Sequence, residues 1–205
     1  MNNIIKFCQQ ENISLETIAY KIGKDVELLK MWTDNESIIP IKDAVQISRL
    51  LRCNLNSLFL NTSSIDISNL NIDSLDTFVS LFLPFTKASH AFKVGLRKRN
   101  HSFSSQKDIG DRIKFVRINI LGWSQTQLGK KLALSRSTIK DWENGININT
   151  ICNIRNISKL SHISLDYFIY DDHPLEFNLM DFNDDDIFYI KLTVNYLERR
   201  QLKHE

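Results

Sequence analysis

Cysteine is scarce in this chain: Cys8, Cys53 and Cys152 lie far apart and none forms a CxxC pair. That argues against a disulfide framework and a zinc site, and leaves the three as small apolar residues of an interior. No apolar run approaches the roughly 20 residues needed to cross a bilayer. The opening MNNIIKFCQQENIS lacks a basic flank, a long apolar segment and a small-residue cleavage site, so a cytoplasmic protein is expected. Catalytic groupings are missing too. The histidines at 90, 101, 162, 173 and 204 are scattered, and no paired carboxylates, phosphate loop or nucleophile elbow occurs. We expect no enzyme, no metal and no cofactor. Asp184, Asp185 and Asp186 are consecutive, which does not let them converge on one ion; they suit the N-terminus of a helix.

What is present is an ordinary globular mixture with an uneven charge distribution. The chain has 205 residues, 42% hydrophobic and 24% charged, enough for one large domain or two small ones. From Lys87 to Gly145 there are thirteen Lys or Arg against four acids, a local excess of nine in a chain whose net charge is +2. The remainder is therefore acidic by seven, and the basic window suits a polyanion.

The chain also repeats itself. Adding 110 to a position in the first part lands on a like residue in the second: Ser14 on Ser124, Ile18 on Leu128, Ile22 on Leu132, Leu29 on Ile139, Trp32 on Trp142. Ile47 on Ile157, Ser48 on Ser158, Leu50 on Leu160 and Leu55 on Leu165 continue the series. Before Ser14 the offset becomes 108, matching IKF at 5–7 to IKF at 113–115, which predicts two extra residues in the first loop of the second unit. A long period met only twice indicates duplicated domains and not a solenoid.

Helical spacing of Ile109, Ile113 and Val116, of Leu128 and Leu132, of Ile139 and Trp142, and of Ile154, Ile157 and Leu160 predicts four or five short helices in the second unit. Ser124 with Gln127 forms a capping box and Ser135 caps the next helix. Only about two residues separate these two helices, which forces a sharp turn between them. The result is a helix-turn-helix, whose second helix fits a major groove about 12 Å wide. Leu128, Leu132, Ile139 and Trp142 fall on its inner face and are expected in the core.

IGDRIKFVRINILGWSQTQLGKKLALSRSTIKDWENG followed by ISKLSHISLDYFI resembles the phage repressor and Cro (XRE) family of DNA-binding domains, over about Ile109 to Tyr170. Gly129 stands where that family usually has Ala, and Asn149 where a Pro commonly follows the turn. The resemblance implies that Gln125 bonds a phosphate from a helix N-terminus and that Arg136 and Ser137 open the recognition helix behind Ser135. It puts Lys140 and Asp141 where a further base or phosphate contact falls, and implies backbone N–H groups of Asn144 and Gly145 set against a phosphate. The implied partner is double-stranded DNA and the implied role a sequence-specific, repressor-like transcription regulator. A protein-binding or antitoxin-like regulator, using both units to bind protein, is the rival reading.

In the first unit the positions matching 125, 136, 137 and 141 hold Leu15, Val26, Glu27 and Met31. Leu15 cannot bond a phosphate, and Glu27 repels one. Residues 1–61 carry seven bases and seven acids. This unit keeps the scaffold and has lost the reader; Leu15, Val26 and Met31 suit protein association better.

Between the units, Leu75, Phe78, Val79, Phe82 and Leu83 form one helical stripe that Pro84 ends or kinks, with Phe85, Phe92 and Leu96 continuing in a second helix. Arg97, Lys98 and Arg99 begin a polar hinge that can act as a basic arm. Ile187, Ile190, Val194 and Leu197 give the C-terminus one helix. The expected organisation is all-α: a degenerate helix-turn-helix domain at 1–61, a helical linker with a basic hinge at 62–107, a DNA-binding domain at 108–171 and a tail with a helix at 172–205. One reader covers few base pairs, so a homodimer on an inverted-repeat operator is expected, held by the first unit, the linker helices or the C-terminal helix.

Overall fold

Short polar side chains decide where many of the helices begin. Ser14, Asn54, Ser105, Ser124 and Ser135 each accept the backbone N–H three residues on, which satisfies a donor that the first helical turn leaves open. At Ser105 and Ser124 the box closes, because Asp108 and Gln127 return a bond to the cap backbone. The computed structural model describes residues 2–34, 39–60, 62–82, 105–171, 173–180 and 182–201.

The first half holds α1 (Ile4–Gln10), α2 (Leu15–Ile22), α3 (Val26–Asp34), α4 (Ile41–Leu50), α5 (Leu55–Phe59), the short strand β1 (Ser64–Asp66) and α6 (Ile72–Phe82). The second half holds α7 (Gln106–Phe115), a π-helical turn at Val116–Ile120, α8 (Gln125–Leu132), α9 (Arg136–Glu143), α10 (Ile151–Ser161), α11 (Leu165–Ile169), β2 (Glu176–Asn178) and α12 (Asp184–Gln201). Among the described residues the protein is all-α apart from two three-residue strands, which the sequence reading did not anticipate. From α2 to α5 and from α8 to α11, each helix starts 110 residues after its counterpart. Among the described residues, no helix is long and apolar enough to cross a membrane.

The halves share one core. Ile18, Leu29, Trp32, Ile47 and Leu55 are buried in the first half and Leu128, Ile139, Trp142, Ile157 and Leu165 in the second, with Leu132 half-buried at its edge. Each such Ile or Leu contributes about 1.5–3 kcal/mol by leaving water. The linker stripe is buried at Leu75, Phe78 and Val79, and Phe78 meets Phe177 edge to face. The expectations for Leu83, Pro84, Phe85, Phe92, Leu96 and the Arg97–Arg99 arm lie outside the described residues.

The contacts between the halves follow a twofold rule. Ile41 N–H donates to the Asn149 carbonyl (3.1 Å) and Ile151 N–H to the Ile39 carbonyl (3.0 Å), two bonds that exchange when 110 is added to one set of numbers and subtracted from the other. Pro40 bridges Thr150, and Asp66 pairs with Glu176 in the β1–β2 ladder, each residue facing its own counterpart 110 positions away. At the centre, the Asp166 carboxylate accepts N–H bonds from Leu55 and Asn56, both 2.9 Å. Asn56, its counterpart, accepts the Leu165 N–H on Oδ1 at 2.7 Å. Reciprocal contact of this kind is the mark of an isologous interface, here inside one chain. It also continues into the segments read above as linker and tail. Asn71 and Asn183 cap α6 and α12 through the same bond, and the two helices pack together.

One register differs from the sequence reading. Ile5 is 44% exposed whereas Ile113 is buried, so the shared IKF letters do not mark equivalent sites. Ile4 takes the buried position instead. The second half then has one surplus residue before its cap and not two, and the wider turn at Val116–Ile120 accommodates it.

Candidate nucleic-acid interface

A single αL residue makes the turn between α8 and α9. Ala133 has φ +56°, its N–H closes onto α8, and Leu134 N–H donates to the Gly129 carbonyl at 2.8 Å. Three residues, 133–135, thus reverse the chain. A Cβ on Gly129 would lie 2.7 Å from the Leu134 carbonyl oxygen, so glycine, and not alanine, fits this particular turn.

Helix α9 is buried on one face by Ile139 and Trp142 and exposes the other. Arg136, Ser137 and Lys140 lie on the exposed face, and Asp141 is half-buried beside them. Ser135 is occupied as the cap: its hydroxyl accepts the Thr138 N–H at 3.0 Å and bonds the Ser137 hydroxyl at 2.7 Å. The cap thereby fixes where Arg136 emerges, at the first position of the helix.

Gln125, at the start of α8, is held from behind. Its Nε2 donates to Glu143 Oε2 at 2.8 Å, and Glu143 is itself clamped by Arg117, whose Nε and Nη2 donate at 2.5 and 3.0 Å. Arg117 Nη1 also donates to the Trp123 carbonyl at 2.7 Å. Arg117 and Glu143 are both buried, so this is a desolvated ion pair with most of its bonding capacity satisfied. It ties the π-helical turn, the end of α9 and the first residue of α8 into one unit. The remaining Nε2 proton of Gln125 and the open N–H groups of the first turn of α8 stay available to an anion.

The structure corrects two expectations. Asn144 N–H donates to the Lys140 and Asp141 carbonyls and Gly145 N–H to that of Trp142, so neither backbone group is free to meet a phosphate; at Asn144 only the side chain remains for that role. Two of the bases in the positive window are also structural. Besides Arg117, Arg112 is turned inward, donating to the carbonyls of Tyr167, Phe168 and Tyr170 and pairing with Asp171 at 3.3 Å. Lys107 pairs with Asp111. Lys130 and Lys131 on α8 and Arg136 and Lys140 on α9 are exposed, as is Lys114 on α7.

Sequence reasoning missed the group that positions all of this. Gly110 sits where α7 crosses the end of α9, and a Cβ there would lie 2.4 Å from the Trp142 oxygen and 2.9 Å from the Glu143 oxygen. Gly110→Ala is expected to force the helices apart and lower stability by about 1–3 kcal/mol, read as a lower midpoint in urea with unchanged slope. A midpoint equal to wild type would show that the crossing relaxes freely.

Residues 113–168 match the helix-turn-helix family. No curated protein and no solved structure matches the chain.

Proposed function

We propose that the protein is a sequence-specific double-stranded DNA-binding regulator of transcription, repressor-like, that reads the major groove with α9. The observation carrying this is the pairing of an exposed, basic α9 face, Arg136, Ser137 and Lys140, with a Gln125 held in place at the N-terminus of the preceding helix. In such a site Arg136 reads a base edge, Gln125 and the α8 N-terminus hold a phosphate, and Lys140 and the Asn144 side chain add contacts along the backbone.

The first half is, in this reading, a degenerate copy of the same domain. The exact 110-residue recurrence of helix starts and the reciprocal bonds between the halves support it. Its counterpart of the reading face carries Glu27 and Lys30 joined to each other at 2.7 Å, with Tyr20 and Met31 exposed. At the position of Arg136 that surface has Val26, and its Lys30, at the position of Lys140, is joined to an acid; in this reading each chain then carries one reader. A second chain then brings the second, on an inverted-repeat operator.

Arg136→Ala should relax preference at one base position and weaken the selected site by about 1–3 kcal/mol, whereas Gln125→Ala should weaken all sequences alike. Selection from random duplex DNA with each variant measures both. Identical sequence profiles for wild type and Arg136→Ala would overturn the assignment of α9 as the reader.

A further inference from the structure

Helix α12 is apolar on two opposite faces. Ile190, Val194 and Leu197 point into the core with Ile187 at its edge, as the packing on α6 requires. Yet on the far side Phe188, Tyr189, Leu192 and Tyr196 are 63%, 60%, 53% and 61% exposed. Such a cluster of large apolar side chains in water needs a reason. The shared packing does not supply one. Aligning α6 and α12 on their caps, Asn71 and Asn183, sets Phe188, Tyr189 and Leu192 opposite Asp76, Thr77 and Ser80, so α6 is polar where α12 is aromatic.

We propose that this face is the contact between two copies of the chain, with the two α12 helices packed antiparallel about a twofold axis at Leu192. At about 100° per residue, Asp185, Phe188, Leu192, Tyr196 and Arg199 fall on one stripe. Their spacings, three, four, four and three, read the same in both directions. An antiparallel pair centred on Leu192 therefore brings Phe188 against the partner's Tyr196 and Asp185 against the partner's Arg199, each contact made twice. That is the self-complementarity an isologous interface demands. The charges select this direction. Asp184, Asp185 and Asp186 open the helix and Arg199 and Arg200 close it, so an antiparallel pair joins opposite charges and opposed helix dipoles, while a parallel pair joins like ones. For the dimer's consequence, two α9 readers facing a symmetric site, the inference rests on the function proposed above; the dimer itself does not.

The test is mass in solution by sedimentation equilibrium of the full chain at micromolar concentration. Wild type should be a dimer. Asp185→Arg and Arg199→Asp, each placing like charges in both symmetric contacts, should weaken association about tenfold or more, and mixing the two variants in equal amounts should restore the dimer. Oxidised Leu192→Cys should cross-link chain to chain across the axis, with Lys191→Cys as the control that does not. Monomeric wild type, or a mixture no better associated than its components, would overturn the proposal. DNA binding is read separately, on a duplex carrying one half-site. Failure there with the dimer intact would sink the proposed reader and leave this interface standing; half-site binding by a monomeric wild type would do the reverse.

Discussion

Replacing Glu143 with Ala is expected to destabilise the protein by about 3–5 kcal/mol, because it leaves the Arg117 guanidinium buried and without its counter-charge. The Glu143 carboxylate accepts three bonds, two from Arg117 in the interior and one from the half-buried Gln125. For a chain of this size each kcal/mol moves the thermal midpoint by about 2–4 °C, so a fall on the order of 10 °C should be seen by circular dichroism. The paired change Arg117→Met with Glu143→Leu removes both charges and keeps the volume, and should recover most of the loss. On the function proposed above, its DNA affinity should remain below wild type even so, since Gln125 no longer has an acceptor behind it. A Glu143→Ala midpoint within 1 °C of wild type would show that the pair is not a stabilising element.

That ion pair marks where sequence reasoning ends. Arg117 and Glu143 were legible only as one base and one acid in a positive window, because their meeting depends on how α7 crosses α9. Nothing in their spacing, which spans three elements, gives that crossing. The capping residues were different: Ser124 with Gln127, and Ser135, act within one turn of the chain, so their helices were readable from letters alone. The inner face of α8 and α9 was readable for the same reason, through a local period. The offset recurrence of like letters pointed to two similar segments but not to their facing each other. The reciprocal bonds at Ile39, Ile41, Asn149 and Ile151 come from backbone atoms, which every residue has, and so leave no signature in composition. The three-residue strands are likewise too short to show alternation. The role of Gly110 was hidden because a glycine within a helical pattern reads only as a weak helix former, while the carbonyl that excludes a Cβ belongs to a helix more than 30 residues on.

The other large effect belongs to the internal twofold. Asp166 is buried where α11 meets α5, and its two oxygens take the first N–H groups of α5. Asp166→Ala should strand both donors in the interior, at about 1–3 kcal/mol each, so a total of about 2–6 kcal/mol is expected. Because the core runs through both halves, unfolding should remain one transition shifted to lower denaturant, and not a loss confined to one half. Asp166→Asn keeps an acceptor for one donor and should fall between. The pH dependence separates charge from hydrogen bonding. Burial is the larger influence and pushes the Asp166 carboxyl above its usual 3.8, against the pull of the two amide donors and of His173. In the window from 3.8 up to that raised value the folded protein holds a proton that the unfolded chain has released, so this group's share of stability falls as pH rises through the window. Asp166→Asn should remove that slope from denaturation midpoints measured across acidic pH. Unfolding of Asp166→Ala in two separate steps would show that the halves are joined by the covalent chain and not by this contact.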